Sequence, residues 1–190
     1  MHWQYSLNKK EKSLCLLLNE SEITKKYYPF NFELKIEVTL KINSLEFEIN
    51  IKNKTNSPMP LNFGLHPYFN ISDFKNLEFI HYPLNCQDQK RNILSNTPRE
   101  LKNINFGVDL LMYTLGKIGF QDKILGREVI LNHPYPFDLG IIWSEPPRRM
   151  ICLEPWTSTR NSLIDGFRKI IIPSNASLNF DASIEIKSLK

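Results

Sequence analysis

Residues 32–42 read FELKIEVTLKI, with Phe32, Leu34, Ile36, Val38, Leu40 and Ile42 on one face and Glu33, Lys35, Glu37, Thr39 and Lys41 on the other. That period of two is a strand with one face in a core and one in water. The alternation resumes at Leu45, Phe47, Ile49 and Ile51, so Asn43-Ser44 predicts a tight antiparallel turn. Further short apolar runs, broken by Pro, Gly and Asn, predict strands near 14–18, 61–65, 77–81, 127–131, 139–144, 149–153, 168–172 and 178–187. No long stretch carries a 3.6-residue period, and 12 prolines punctuate the chain. The class this predicts is all-β, a sandwich or related antiparallel architecture. Without repeat, low-complexity segment or linker, residues 1–190 read as one domain.

The chain opens almost directly into apparent strand, HWQYSL, with Trp3 and Tyr5 and no polar lead-in. Such a strand is either an ordinary edge or one whose preceding neighbours are absent.

Charge and cysteine usage narrow the function classes. Lys and Arg total 24 against 20 Asp and Glu, and the basic pairs Lys9-Lys10 and Lys25-Lys26 are too short for a nucleic-acid footprint. Cys15, Cys86 and Cys152 lie far apart with no CxxC, which argues against a disulfide framework and against structural zinc. The expectation is a reduced, cytoplasmic protein. No apolar run is long enough to span a membrane, and MHWQYSLNKKEK lacks the apolar segment of a signal peptide. Oligomeric state is open.

Two stretches offer chemistry. In LNFGLHPYFNI (61–71), His66 sits in an apolar run, where an imidazole needs a hydrogen-bonding partner. In MICLEPWTSTRN (150–161), Glu154 ends an apolar strand, where lost solvation would raise its pKa and make it a better proton acceptor near neutral pH. Pro67 and Pro155 each hold the preceding residue extended. Taken singly, His66 could be a hydrogen-bonded core histidine and Glu154 the partner of Arg160. Together they suggest a general acid and a general base beside Tyr68, Phe69 and Trp156, aromatic faces of the kind that stack on a sugar ring. Trp156 in particular is placed for such stacking by its position beside Glu154, or else belongs to the core. His133, in NHPYPF, reads as a turn histidine, and His81 has no acidic motif nearby.

NFGLHPYFNI and ICLEPWTSTRN closely resemble the paired signatures of the aldose 1-epimerase (galactose mutarotase-like) family. Residues 23–60, with their Tyr-Pro-Phe stretch leading into the hairpin, resemble its central segment, and the resemblance extends from about 20 to 185. It implies a large antiparallel β-sandwich, an aldose substrate, and interconversion of α and β anomers without cofactor or metal. It also places His66 on the family's general acid and Glu154 on its general base. The family has a sugar-binding aspartate after a Gly-aromatic pair; in KIGFQDKIL that position corresponds loosely to Asp122, which could equally be a turn residue.

The chain departs from the family at its start. Relatives carry earlier strands that supply an arginine and a His-Gly histidine to the sugar; neither is found here, and His2 precedes Trp3, not Gly. The expectation is a chain that begins inside the family fold, with impaired activity. A non-catalytic carbohydrate-binding β-sandwich, and a protein-interaction sandwich binding no sugar, are the rival classes. Neither the aldose nor any preference for a sugar phosphate is legible; Arg148, Arg149 and Arg160 have no fixed geometry in the sequence.

Overall fold

The computed structural model describes residues 2–189. Along the described residues the strands are β1 (Gln4–Asn8), β2 (Ser13–Asn19), β3 (Phe32–Leu40), β4 (Ser44–Asn53), β5 (Met59–Leu61), β6 (Tyr68–Asn70), β7 (Leu77–Ile80) and β8 (Asn85–Asp88). They continue with β9 (Ile93–Asn96), β10 (Asp109–Tyr113), β11 (Lys117–Asp122), β12 (Arg127–Asn132), β13 (Leu139–Ser144), β14 (Met150–Trp156), β15 (Ile170–Ile172) and β16 (Ser177–Ser188). Helices are single turns, and no helix among the described residues is long and apolar enough to cross a membrane. The fold is an antiparallel β-sandwich, as the alternation predicts.

The described residues divide into two compact units, one running to Asn62 and including Arg160–Ser183, the other comprising Phe63–Thr159 and the stretch from Ile184 onward. In the first, β1 to β4 form an antiparallel meander whose last strand is followed by β16. Its apolar residues share one face because partners across the strands match: Leu14, Val38 and Phe47 align, as do Leu16, Ile36 and Ile49. Ile49, Ile51, Met59, Ile172 and Phe180 are buried there. Asn53 is fully buried among them; its Nδ2 donates to the carbonyls of Ser57, Ile172 and Pro173 at 2.8, 3.1 and 3.0 Å, which ties the end of β4 to β15.

The hairpin differs from expectation by its turn. Leu40 pairs with Leu45 and Lys41 N–H donates to Ser44 O, so the loop is Ile42-Asn43 and not Asn43-Ser44. Ile42 is consequently 98% exposed. A slip of two residues keeps every side chain on its face, so the hydrophobic pattern alone does not distinguish the two registers.

The second unit packs two sheets face to face. One contains β7, β11 and β12; the other has the order β6-β14-β13-β10-β8-β9. Ile118, Phe120, Val129 and Leu131 from the first meet Leu110, Met112, Ile142, Ile151 and Leu153 from the second in one buried cluster. Alternation along β14 therefore sends Ile151 and Leu153 inward and leaves Met150, Cys152, Glu154 and Trp156 on the opposite face of the sheet. That opposite face carries the candidate site.

Candidate active site

A single antiparallel register positions the site. Gly64 lies opposite Trp156 and Tyr68 opposite Cys152. The segment between keeps the same phase, with Thr157 N–H donating to Phe63 O (2.9 Å) and Leu65 N–H to Pro155 O (3.2 Å). His66 thereby falls directly opposite Glu154. Pro67 has no N–H to give to the ladder, and β6 begins at Tyr68. On the other side of β14, Ile141 pairs with Glu154 and Trp143 with Cys152. The site face is thus a small grid in which the central strand carries Cys152, Glu154 and Trp156.

His66 Nε2 is 3.4 Å from Glu154 Oε1. The two environments are opposite: the Glu154 side chain is 3% exposed and that of His66 is 51% exposed. His66 is therefore not the buried imidazole its apolar neighbours suggest. Phe63, Leu65, Pro67 and Phe69 are partly buried, whereas the alternate residues Asn62, Gly64, His66, Tyr68 and Asn70 are exposed. The apolar run is the inward row of a strand, and the histidine is on the outward row.

Aromatic rings fix the imidazole. Tyr68 stacks on it with ring centroids 4.8 Å apart and planes at 11°, and Trp143 meets it edge-on at 5.9 Å. Glu154 is fixed from its other oxygen, Oε2, which accepts the indole N–H of Trp156 at 3.0 Å. A carboxylate removed from water is costly unless donors replace the lost solvent, and Trp156 and His66 are placed to do so. Cys152 lies beside the pair, fully buried; burial pushes its thiol up to about 12, and the Glu154 carboxylate reinforces that direction. The sulfur, the carboxylate and the imidazole each offer one atom within 4.8 Å of the others.

Gly64 has a steric reason to be glycine. A Cβ there would lie 2.8 Å from Trp156 Cδ1 and 3.2 Å from Pro155 O, so the indole can approach only over a bare backbone.

The other sequence candidates distribute differently. Phe69 turns away from this face and packs edge-on against Phe120 at 5.8 Å in the core. Asp122, at the end of β11, is fully buried. Its carboxylate accepts from Ser72 N–H (2.7 Å), Ser72 Oγ (2.6 Å) and the amides of Ile124 and Leu125. Burial raises its pKa, but these bonds outweigh it and hold the carboxyl below the usual range. His133 closes the 133–137 turn: its Nδ1–H donates to Phe137 O at 2.6 Å, which leaves Nε2 to accept from the Thr114 hydroxyl at 3.3 Å. It is fully buried, and burial pushes its pKa down despite the bond to Phe137. Trp143, Cys152 and Gly64 were not among the residues the sequence singled out. Only the cross-strand register brings them to His66 and Glu154.

Solved structures share this fold. The Slr1438 protein of Synechocystis sp. PCC 6803 superposes with a TM-score of 0.92 at 22% identity, over 98% of this chain and 66% of that one. A galactose mutarotase related enzyme from Lactobacillus acidophilus gives 0.80 at 21% identity, over 100% of this chain and 72% of that one. A galactose mutarotase-like protein from Clostridium acetobutylicum gives 0.78 at 17%, over 98% and 67%. The chain thus spans about two thirds of the length of these structures. No curated protein sequence matches it. The sequence model of aldose 1-epimerase matches residues 1–106, more than half of the chain, which therefore belongs to the aldose 1-epimerase family.

Proposed function

We propose that this chain interconverts the α and β anomers of an aldose, with Glu154 as general base and His66 as general acid. The observation that carries the proposal is the 3.4 Å approach of His66 Nε2 to Glu154 Oε1 on one sheet face. The reaction needs that closeness. The two sugar oxygens that exchange protons, the anomeric hydroxyl and the ring oxygen, are bonded to the same carbon. A base and an acid serving them must therefore stand within a few ångströms of each other.

Glu154 takes the proton of the anomeric hydroxyl, C1=O1 forms, the C1–O5 bond breaks, and His66 gives its proton to O5. Rotation about C1–C2 presents the other face of the aldehyde. Closure then reverses each transfer: O5 attacks C1, its proton returns to His66, and O1 regains its proton from Glu154. The buried carboxylate acts where water is thin, and the half-exposed imidazole reaches the substrate side. Tyr68 and Trp143 hold the imidazole, and the Trp156 indole holds the carboxylate. Asp122, with both carboxylate oxygens engaged around Ser72, serves in this proposal as a support for the loop after β6 and not as a sugar ligand.

Polarimetry on freshly dissolved α-glucose or α-galactose tests this. The expected result is acceleration over the spontaneous rate that Glu154→Gln abolishes while circular dichroism stays unchanged. Wild-type rates in Glu154→Gln would remove the mechanism. Calorimetric binding of the sugar without acceleration would favour the carbohydrate-binding class instead.

A further inference from the structure

The thiol beside the acid/base pair has no part in anomer exchange, yet it completes a donor set. We propose that His66, Cys152 and Glu154 bind a thiophilic divalent cation of the zinc class, and that its occupancy switches off the acid/base pair; the second half rests on the function proposed above.

The geometry is close to what such an ion requires. Zinc bonds of about 2.0–2.1 Å to nitrogen and oxygen put two tetrahedral donors about 3.3 Å apart. His66 Nε2 and Glu154 Oε1 are already 3.4 Å apart. A zinc–sulfur bond of about 2.3 Å places sulfur about 3.5 Å from those atoms. The Cys152 sulfur lies within 4.8 Å of a ring nitrogen of His66 and of a carboxylate oxygen of Glu154, so an inward movement on the order of 1 Å closes the set. The three residues sit on adjacent extended segments in fixed register, Cys152 and Glu154 two apart on β14 and His66 opposite Glu154.

The donor chemistry selects the metal. Thiolate with imidazole suits zinc-class ions, whereas magnesium and calcium seek oxygen shells. On binding, the S–H bond breaks, its proton leaves to solvent and the sulfur bonds the ion; thiolate and carboxylate then balance its two charges. The Trp156 N–H already holds the second carboxylate oxygen, an outer-shell bond of the kind that orients metal ligands. The exposed side of His66 leaves a fourth position open. With Nε2 and Oε1 both committed to the ion, neither can carry a proton to or from a sugar.

The test is a titration of the whole chain with Zn²⁺ against a chromophoric chelator, and with Co²⁺ followed by absorption. The expected result is one equivalent bound, with a near-ultraviolet thiolate-to-cobalt band. Cys152→Ser should lose that band, and zinc binding should weaken by about tenfold or more. His66→Gln, at a half-exposed position, should weaken zinc binding similarly while leaving the fold intact. In the kinetic arm, Zn²⁺ should suppress anomer exchange reversibly by chelation, and Cys152→Ser should exchange normally and resist Zn²⁺. No thiolate band, or the same band and affinity in Cys152→Ser, overturns the proposal. Because the titration needs no turnover, a chain inactive on every sugar would remove the proposed function and still decide the metal site.

Discussion

Trp156 and Glu154, two residues apart on the outward face of β14, are joined by a hydrogen bond from the indole N–H to Oε2 at 3.0 Å, which leaves Oε1 turned to His66. In the function proposed above, the indole would serve as a positioning group for the base as well as a flat surface beside it. A hydrogen bond to a charged acceptor contributes roughly 1.5–3 kcal/mol.

Trp156→Phe keeps the ring and removes the donor. If that bond orients the carboxylate in the transition state, kcat should fall by about 10- to 100-fold with KM little changed. A KM effect alone, with kcat intact, would make the ring a stacking surface and nothing more.

Gly64→Ala should reproduce part of this loss from across the strand pair. The added methyl meets the Trp156 ring at 2.8 Å and the Pro155 carbonyl at 3.2 Å, so the indole must yield. The expected outcome is reduced exchange together with altered tryptophan fluorescence. Full activity with unchanged emission would show that the ring tolerates displacement.

Protonation of His133 should limit stability in mild acid. Its folded-state pKa is lowered by burial, so the unfolded chain, at about 6.5, takes a proton that the folded chain refuses. Stability is thus fully present above pH 6.5 and declines below it, by up to about 1.4 kcal/mol per pH unit until the folded-state pKa is reached. Urea midpoints from pH 5 to 8 should show this slope, and His133→Gln should flatten it. Parallel profiles for the two proteins would contradict the assignment.

Asn53→Ala should destabilise the first unit. It removes the fully buried donor that serves the carbonyls of Ser57, Ile172 and Pro173. The expected cost is about 1–3 kcal/mol, read as a lower urea midpoint. An unchanged midpoint would mean that solvent reaches these carbonyls.

The legible part of this molecule is the part written in period two. β2, β3, β4, β12, β13 and β14 follow runs whose apolar and polar residues separate onto two faces or stay apolar throughout. β8 (NCQD) and β9 (ILSN) carry no alternation, and β11 is interrupted by Gly119. β10 (DLLMY) is a five-residue run without alternation. At the site, His66 and Glu154 stand out because each is polar beside a proline at the edge of an apolar run. Trp143 and Cys152 have no such mark. Their membership depends on which residue faces which across three strands, a non-local fact that no local window contains. Of the two readings open for His66, the core histidine is excluded by its exposure, for a related reason: an apolar neighbourhood in sequence is the opposite row in space.

The same two-row arrangement constrains how this segment can change. From Phe63 to Phe69, odd positions face inward and even positions face out. Substitutions can therefore tune anchoring and chemistry separately, one row at a time. A single inserted or deleted residue cannot: it would send the histidine inward and expose an anchor, exchanging the two rows at once. The segment should accordingly tolerate many changes of letter and almost none of length.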